Sequence, residues 1–179
     1  MKKILSVILA ITMLCSVTIV AFADGAADEA VKVGINAEYE PFEYYREGEL
    51  KGFDVELMDL IGEKIGRKIE FVNMDFDALL PAVASEKVDC AVSAITVTEE
   101  REKVIDFSRE YLRTTVVTSE NGQTIRKSGG DYAIVFRSGV SGAKDKSDAL
   151  SDYEKLYIDI DNALSELSQN GTVEKLIEK

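Results

Sequence analysis

Three short segments of the chain carry side chains that could bind a small charged molecule: residues 36–42, residues 75–76 and residues 93–101. The third segment contains hydroxyl groups and Arg101, whose planar guanidinium matches a carboxylate. Hydroxyl and carbonyl oxygens accept hydrogen bonds from an ammonium group. Aromatic residues in the first two segments could form the walls of a pocket. This combination predicts a receptor for a small zwitterion.

Composition excludes several other kinds of chemistry. The 179-residue chain has no histidine, two cysteines, 21 basic and 33 acidic residues, and a formal net charge of −12. A zinc site of the histidine/cysteine kind and histidine-based nucleophilic catalysis are therefore excluded. So negative a chain is not expected to bind nucleic acid, because affinity there comes mainly from basic residues. No metal, cofactor or catalytic residue is predicted.

The elements that must position the three segments alternate between strands and helices. Short apolar runs predict five strands, at residues 31–35, 68–72, 88–92, 111–117 and 131–137. Apolar residues at helical spacing predict helices that begin near Asp54, Asp75 and Thr98, and two more at the C-terminus. This order is typical of an α/β fold with a mostly parallel five-stranded sheet and flanking helices. Ligands of open α/β sheets bind beyond the carboxyl ends of the strands, where the three segments fall.

Each residue of these segments also has a purely structural interpretation. Arg101 alone would be a solvated helix residue, and Ser93 and Thr96 would be turn or cap hydroxyls. The aromatic residues of segment 36–42 would cover the sheet edge, and Phe76 would be the first core residue of its helix. Taken singly, the structural interpretation is favoured for every one of them.

Two further residues are predicted to be structural. Asp54 is expected to cap the helix that follows it. Cys90 lies in an apolar run and is expected to be a buried strand residue rather than a reactive thiol.

The first 23 residues have the order of a secretory signal peptide. Two lysines precede the apolar run of residues 4–22, and Ala21-Phe22-Ala23 provides a small-residue cleavage site. An uncleaved membrane anchor is the alternative. Residues 24–30 are predicted to be a flexible leader, so the domain is expected over residues 31–179, outside the cytoplasm.

The motifs of the chain together resemble those of one protein family. The stretches that carry the resemblance are VGINAEYEPFE at 33–43, GFDVEL at 52–57, FDALLPA at 76–82, SAITVTEER at 93–101 and VIDFS at 104–108. They are similar to the amino-acid-type bacterial extracellular solute-binding proteins, family 3, and residues 132–137 and 162–172 resemble that family's C-terminal return. The resemblance covers about 31–118 and 131–179. It implies one lobe of a periplasmic-binding-protein-like type II fold that serves an ABC permease at the membrane surface.

The resemblance also implies a set of ligand-binding residues: Asn36, Tyr39, Phe42, Phe76, Ser93, Ala94, Thr96 and Arg101. Arg101 would bind the α-carboxylate of an amino acid, assisted by the amide and hydroxyl of Thr96. Ser93 or Ala94 would present an oxygen to the α-amino group, and Tyr39 and Phe76 would wall the side-chain pocket.

Asn36 lies where relatives that bind cationic ligands tend to carry an acid. This difference argues against a preference for basic amino acids, although Glu38 and Glu40 are near. The expected ligand is therefore a polar amino acid or a similar small zwitterion.

One departure from the family concerns its second lobe. Family members are two-lobed and close on their ligand by hinge motion. Here only residues 118–131, interpreted as a short linker with turns at Asn121-Gly122 and Gly129-Gly130, stand where the second lobe would be inserted. A single lobe leaves one face of the ligand in water, so millimolar or no affinity for free amino acids is expected.

Two other functions compete with solute binding. The exposed former cleft could serve as an interaction module or hold a homodimer together. An enzyme is the third alternative, because some relatives of this fold are dehydratases, but no motif singles out a catalytic pair.

Overall fold

A five-stranded mixed sheet forms the frame of the protein. The computed structural model describes residues 30–120, 123–146 and 149–178, so the predicted signal peptide 1–23 and most of the predicted leader lie outside the described residues. The strands are β1 (Val31–Ile35), β2 (Glu38–Tyr39), β3 (Glu43–Arg46), β4 (Glu49–Lys51), β5 (Ile69–Asn73), β6 (Cys90–Ala91), β7 (Ile105–Glu120) and β8 (Gln123–Arg137).

The strand order of the main sheet is β5-β1-β6-β8-β7. β1 runs parallel to β5 and β6, whereas β8 pairs antiparallel with both β6 and β7. β2, β3 and β4 form a separate antiparallel sheet. The prediction of an α/β fold with five main strands is therefore confirmed, with the parallel part centred on β1.

Helices cover both faces of the main sheet. They are α1 (Phe53–Ile65), α2 (Phe76–Ala84), α3 (Asp152–Gln169) and α4 (Thr172–Ile177), with single 3-10 turns at Arg101–Lys103 and Ser141–Asp145. The apolar side chains of α1, α3 and α4 share one core cluster with inward residues of β1 and β8. α2 packs into a second cluster on the opposite face. Among the described residues, no helix is long and apolar enough to cross a membrane.

Several predicted boundaries differ from the structure. The predicted strand 88–92 is reduced to Cys90–Ala91, and the predicted helix capped by Thr98 is a 3-10 turn at Arg101–Lys103. Cys90 is fully buried, as expected. The turn at Arg46-Glu47-Gly48 joins β3 to β4, and positive φ angles at its last two residues fit a tight hairpin turn.

The largest difference lies in residues 118–131, which were predicted to be a short linker. Their described residues belong to the ends of β7 and β8, whose antiparallel pairing continues to Glu120 and Gln123. Asn121-Gly122, the predicted turn between them, lies outside the described residues. Gly129-Gly130 is not a turn, because both residues lie within β8. The register of the β7–β8 ladder shifts at this point. Local composition alone did not reveal this pairing, because the paired residues are polar and rich in glycine rather than apolar.

Candidate functional site

A depression of about 410 Å³ lies where β1 and β6 end. Five of the eight predicted ligand-binding residues line it, namely Asn36, Tyr39, Phe76, Ser93 and Ala94, together with Glu38, Glu43 and Tyr132. The carboxyl ends of the neighbouring parallel strands β1 and β6 bring the first and third predicted segments together there.

Asn36 fixes the floor of the depression. Its backbone N–H donates to Ser93 Oγ at 3.2 Å, and its side-chain amide donates to the Met74 carbonyl at 3.1 Å. Ala37, the next residue, donates its N–H to Asn73 Oδ1 at 2.9 Å. These bonds connect the ends of β1, β5 and β6, so Asn36 holds the strand ends in position.

The turn at Ser93-Ala94 directs its polar groups toward buried acids. Ser93 Oγ donates to Glu43 Oε1 at 2.8 Å, while the Ala94 N–H donates to Asp54 Oδ2 at 2.7 Å. Ala94 has a φ of 44°, which is uncommon for a residue with a side chain. The Ser93 hydroxyl, which also accepts from the Asn36 N–H, therefore positions this turn.

Aromatic rings form one side of the site. The rings of Tyr39 and Phe42 stack with their centroids 5.2 Å apart, and Phe42 meets Tyr132 edge-on at 5.4 Å. Tyr39 is half exposed, whereas Tyr132 is buried. Phe42 does not line the depression itself and instead supports Tyr39 from behind.

Arg101 and Thr96 lie next to the depression rather than in its lining. Arg101 Nη1 donates to the Thr96 carbonyl at 2.8 Å, and its guanidinium carbon lies 5.6 Å from the centre of the Phe76 ring. Thr96 pairs with Tyr132 in an isolated antiparallel bridge. Within the described part of the chain, the Thr96 N–H has no hydrogen-bond partner. The guanidinium is thus held beside an aromatic wall and close to an available amide.

Close approach of β8 to this turn depends on Gly130. An added Cβ at this position would lie 3.1 Å from both Cγ2 and Oγ1 of Thr96, and the φ of Gly130 is +130°. Only glycine adopts this backbone conformation readily, so Gly130 lets the β7–β8 hairpin pass against the binding turn.

Two functional side chains were missed by the sequence analysis. Asp54 was predicted to be a helix cap, and this is wrong: Gly52 is at the cap position, so α1 begins two residues earlier than predicted, and the Asp54 side chain is fully buried. Its Oδ2 also accepts from the Tyr111 hydroxyl at 3.0 Å. Glu43, on β3, is only 1% exposed. The one signal in the sequence was an acid placed between the aromatic residues Phe42 and Tyr44.

The two buried carboxyls change one another's ionisation. Burial, and then the charge of Asp54, raises the pKa of Glu43 from 4.5 to about 9. Burial also raises the pKa of Asp54, to about 6, and hydrogen bonds from the Ala94 amide, Glu43 and Tyr111 limit that rise. Like charges this close do not ionise together, so the pair carries one proton at neutral pH.

Comparison with known proteins assigns the family. The bacterial extracellular solute-binding proteins, family 3, match residues 31–179. The chain belongs to this family. Its relatives are solute-binding proteins, many of them named for an amino acid.

Curated relatives are longer than the chain. An arginine-binding extracellular protein of Bacillus subtilis (strain 168) is 37% identical over 114 residues, which are 62% of this chain and 45% of the relative. The lysine/arginine/ornithine-binding periplasmic protein of Escherichia coli (strain K12) is 32% identical over 102 residues, 56% of this chain and 39% of the relative. The matches therefore span less than half the length of these relatives.

Solved structures confirm the predicted single lobe. The arginine-bound form of domain 1 from TmArgBP is 32% identical, with a TM-score of 0.59, and the match covers 77% of this chain and 93% of that domain. An ancestral arginine-binding protein bound to arginine has the same fold, with a TM-score of 0.68 at 23% identity over 85% of this chain and 98% of that one. The chain therefore has the fold of one lobe of this family.

Proposed function

We propose that the protein binds a polar amino acid in the depression at the ends of β1 and β6, and that a cationic amino acid such as arginine is the first candidate. It would do so outside the cytoplasm, as part of an ABC uptake system. The observation that carries the proposal is the convergence of Tyr39, Phe76 and the turn that leads to Arg101 at one end of the sheet.

The ligand carboxylate is assigned to Arg101. The Arg101 guanidinium has five N–H donors and uses one of them for the Thr96 carbonyl. Its other donors can bind the carboxylate. The Thr96 N–H would add a neutral donor to the same carboxylate. Charge-assisted bonds of this kind are the stronger hydrogen bonds of proteins.

The cationic side chain of the ligand is assigned to the acidic side of the depression. Glu38 and Glu43 both line it, whereas Glu40 is paired with Arg46 at 2.6 Å. These two acids stand in for the acid that is absent at Asn36. The flat aliphatic and guanidinium parts of arginine would lie between the rings of Tyr39 and Phe76, where cation–π attraction adds to apolar contact.

A single lobe is sufficient for such binding in at least one relative, since domain 1 from TmArgBP was crystallised in an arginine-bound form. In this chain the ligand would keep one face in water, so the affinity is expected to be weaker than micromolar.

Isothermal titration with the common amino acids tests this function. Arginine or another cationic amino acid is expected to bind, and Arg101→Ala is expected to weaken binding by roughly tenfold or more because a charge-assisted contact is lost. Arg113→Ala is the matched control, since Arg113 is exposed and paired with Glu110. Binding that is unchanged in Arg101→Ala would show that the assigned site is wrong.

A further inference from the structure

The buried carboxyls of Glu43 and Asp54 are arranged around a single proton. Glu43 Oε1 accepts from Ser93, and Asp54 Oδ2 accepts from Ala94 and Tyr111. Within the described part of the chain, the other two oxygens, Glu43 Oε2 and Asp54 Oδ1, are buried without a donor. One proton between the carboxyls supplies the missing donor and removes one of two like charges.

Among the residues that the structure describes, no basic side chain neutralises this pair. The ionisable groups that face Glu43 are Asp54 from α1, Tyr111 from β7, Tyr132 from β8 and Glu38 from β2. None of the groups that set the ionisation of Glu43 carries a positive charge. A cation that enters the depression would be the first positive charge beside this carboxyl.

The same carboxyl belongs to the wall of the depression. Glu43 lines it together with Ser93 and Ala94, whose hydroxyl and amide are bound to the two acids. The charge state of the pair is therefore connected directly to the turn assigned to the ligand.

We infer that a cationic amino acid entering this depression expels the proton shared by Glu43 and Asp54, so that binding is coupled to proton release. The inference rests on the proposed function. The O–H bond of the carboxyl breaks, the proton passes to solvent, and the ligand is chemically unchanged. The ligand's positive charge replaces the proton as the partner of the newly ionised carboxylate, in surroundings where charges interact more strongly than in water.

The coupling predicts a defined pH dependence of arginine affinity. Affinity is expected to rise between pH 6 and pH 8 by up to about tenfold per pH unit, the limit for exchange of one proton. Glu43→Gln keeps an acceptor for Ser93 and a donor for Asp54 but has no proton to release. This variant is expected to bind arginine more weakly than the wild type at pH 8 and to show no rise in affinity between pH 6 and pH 8.

NMR titration of the protein with arginine at several pH values measures this coupling. Glu47→Gln, at the exposed turn between β3 and β4, is the matched control and should keep the wild-type dependence. The carboxyl ¹³C resonance of Glu43 in the wild type gives a second readout, since its titration midpoint should fall by one unit or more when arginine is saturating. This readout holds even if Glu43→Gln does not fold.

The possible results are distinguishable. Arginine binding with the same affinity at pH 6 and pH 8, and an unmoved Glu43 midpoint, would overturn proton coupling while leaving the proposed function intact. No binding of any cationic amino acid at any pH would overturn both.

Discussion

Replacing Glu43 by glutamine should make the protein more stable at alkaline pH. The folded protein holds a proton on Glu43 up to a pKa of about 9, whereas the unfolded chain releases it near 4.5. Between these values the folded state binds more protons than the unfolded state, so the free energy of unfolding falls as pH rises. The contribution of Glu43 is complete below its unfolded pKa and is lost on the way up to the folded one.

The loss of unfolding free energy follows from the width of the pH range between the unfolded and the folded pKa of Glu43. Each pH unit inside this range costs at most about 1.4 kcal/mol, so the step from pH 6 to pH 8 costs up to about 3 kcal/mol. The chain has no histidine, so the other group that titrates there is Asp54, whose pKa is raised to about 6 and which is present in both proteins. Glu43→Gln removes the proton exchange, so it should match the wild type near pH 5 and exceed it by up to about 4 kcal/mol at pH 8.

Urea unfolding at pH 5, 6, 7 and 8, followed by circular dichroism, measures both proteins. Glu47→Gln changes the same charge at an exposed turn and should follow the wild type at every pH. Parallel curves for the wild type and Glu43→Gln would refute the reasoning, because they would mean that Glu43 is ionised in the folded protein. A wild-type stability that rises with pH would refute it as well.

Three other predictions concern the binding turn beside Gly130, the ion cluster that Asp161 forms with Arg109 and Lys144, and the buried Cys90. Gly130→Ala should weaken arginine binding, because the new Cβ would lie 3.1 Å from Thr96 at a φ that disfavours side chains. Asp161→Asn should lower the free energy of unfolding by roughly 1–3 kcal/mol, because this fully buried acid pairs with Arg109 and Lys144, which are themselves partly exposed. Cys90 should resist thiol reagents until the protein unfolds, because burial raises the pKa of its thiol.

Each of these predictions has a control. Gly48→Ala also places a side chain at positive φ but meets no atom within 4 Å, so it should leave arginine binding unchanged. Asp159→Asn removes an exposed acid from the same helix as Asp161 and should cost little, and equal losses in urea unfolding would contradict the ion cluster. Peptide mapping by mass spectrometry follows labelling of Cys90, and fast labelling in native buffer would contradict its burial.

The contribution of the ion cluster to the free energy of unfolding also depends on pH. Burial opposes ionisation of Asp161, but hydrogen bonds from Arg109 and Lys144 outweigh it and hold its pKa below the ordinary value. Its contribution to stability is therefore present above the ordinary carboxyl range and is lost as pH falls through the folded pKa. Asp161→Asn should thus differ most from the wild type at neutral pH and least in acid, and it should be the less stable protein, whereas Glu43→Gln should be more stable than the wild type.

The binding turn and the main strands could be predicted because their signals are local. Apolar runs mark β1 and β5, and the segment from Ser93 to Arg101 follows a buried strand in the sequence. The shape of the turn was not predictable, since the positive φ of Ala94 depends on the bond from its amide to Asp54.

The buried acids and the long hairpin were missed for different reasons. Asp54 would be a cap if α1 began two residues later, and nothing local fixes that choice. Its burial is decided by contacts with Ala94 and Tyr111, which are far away in sequence. Residues 118–131 pair across a hairpin with residues close in sequence, but they are polar and rich in glycine, as a linker would be.

The most direct test of the account is an amide NMR map of the arginine site. Resonances of Asn36, Thr96 and the Arg101 side chain should shift most as arginine is added, since these groups surround the assigned position of the ligand. Shifts confined to the separate groove lined by Leu50, Phe53 and Leu176, or no shifts at all, would contradict it.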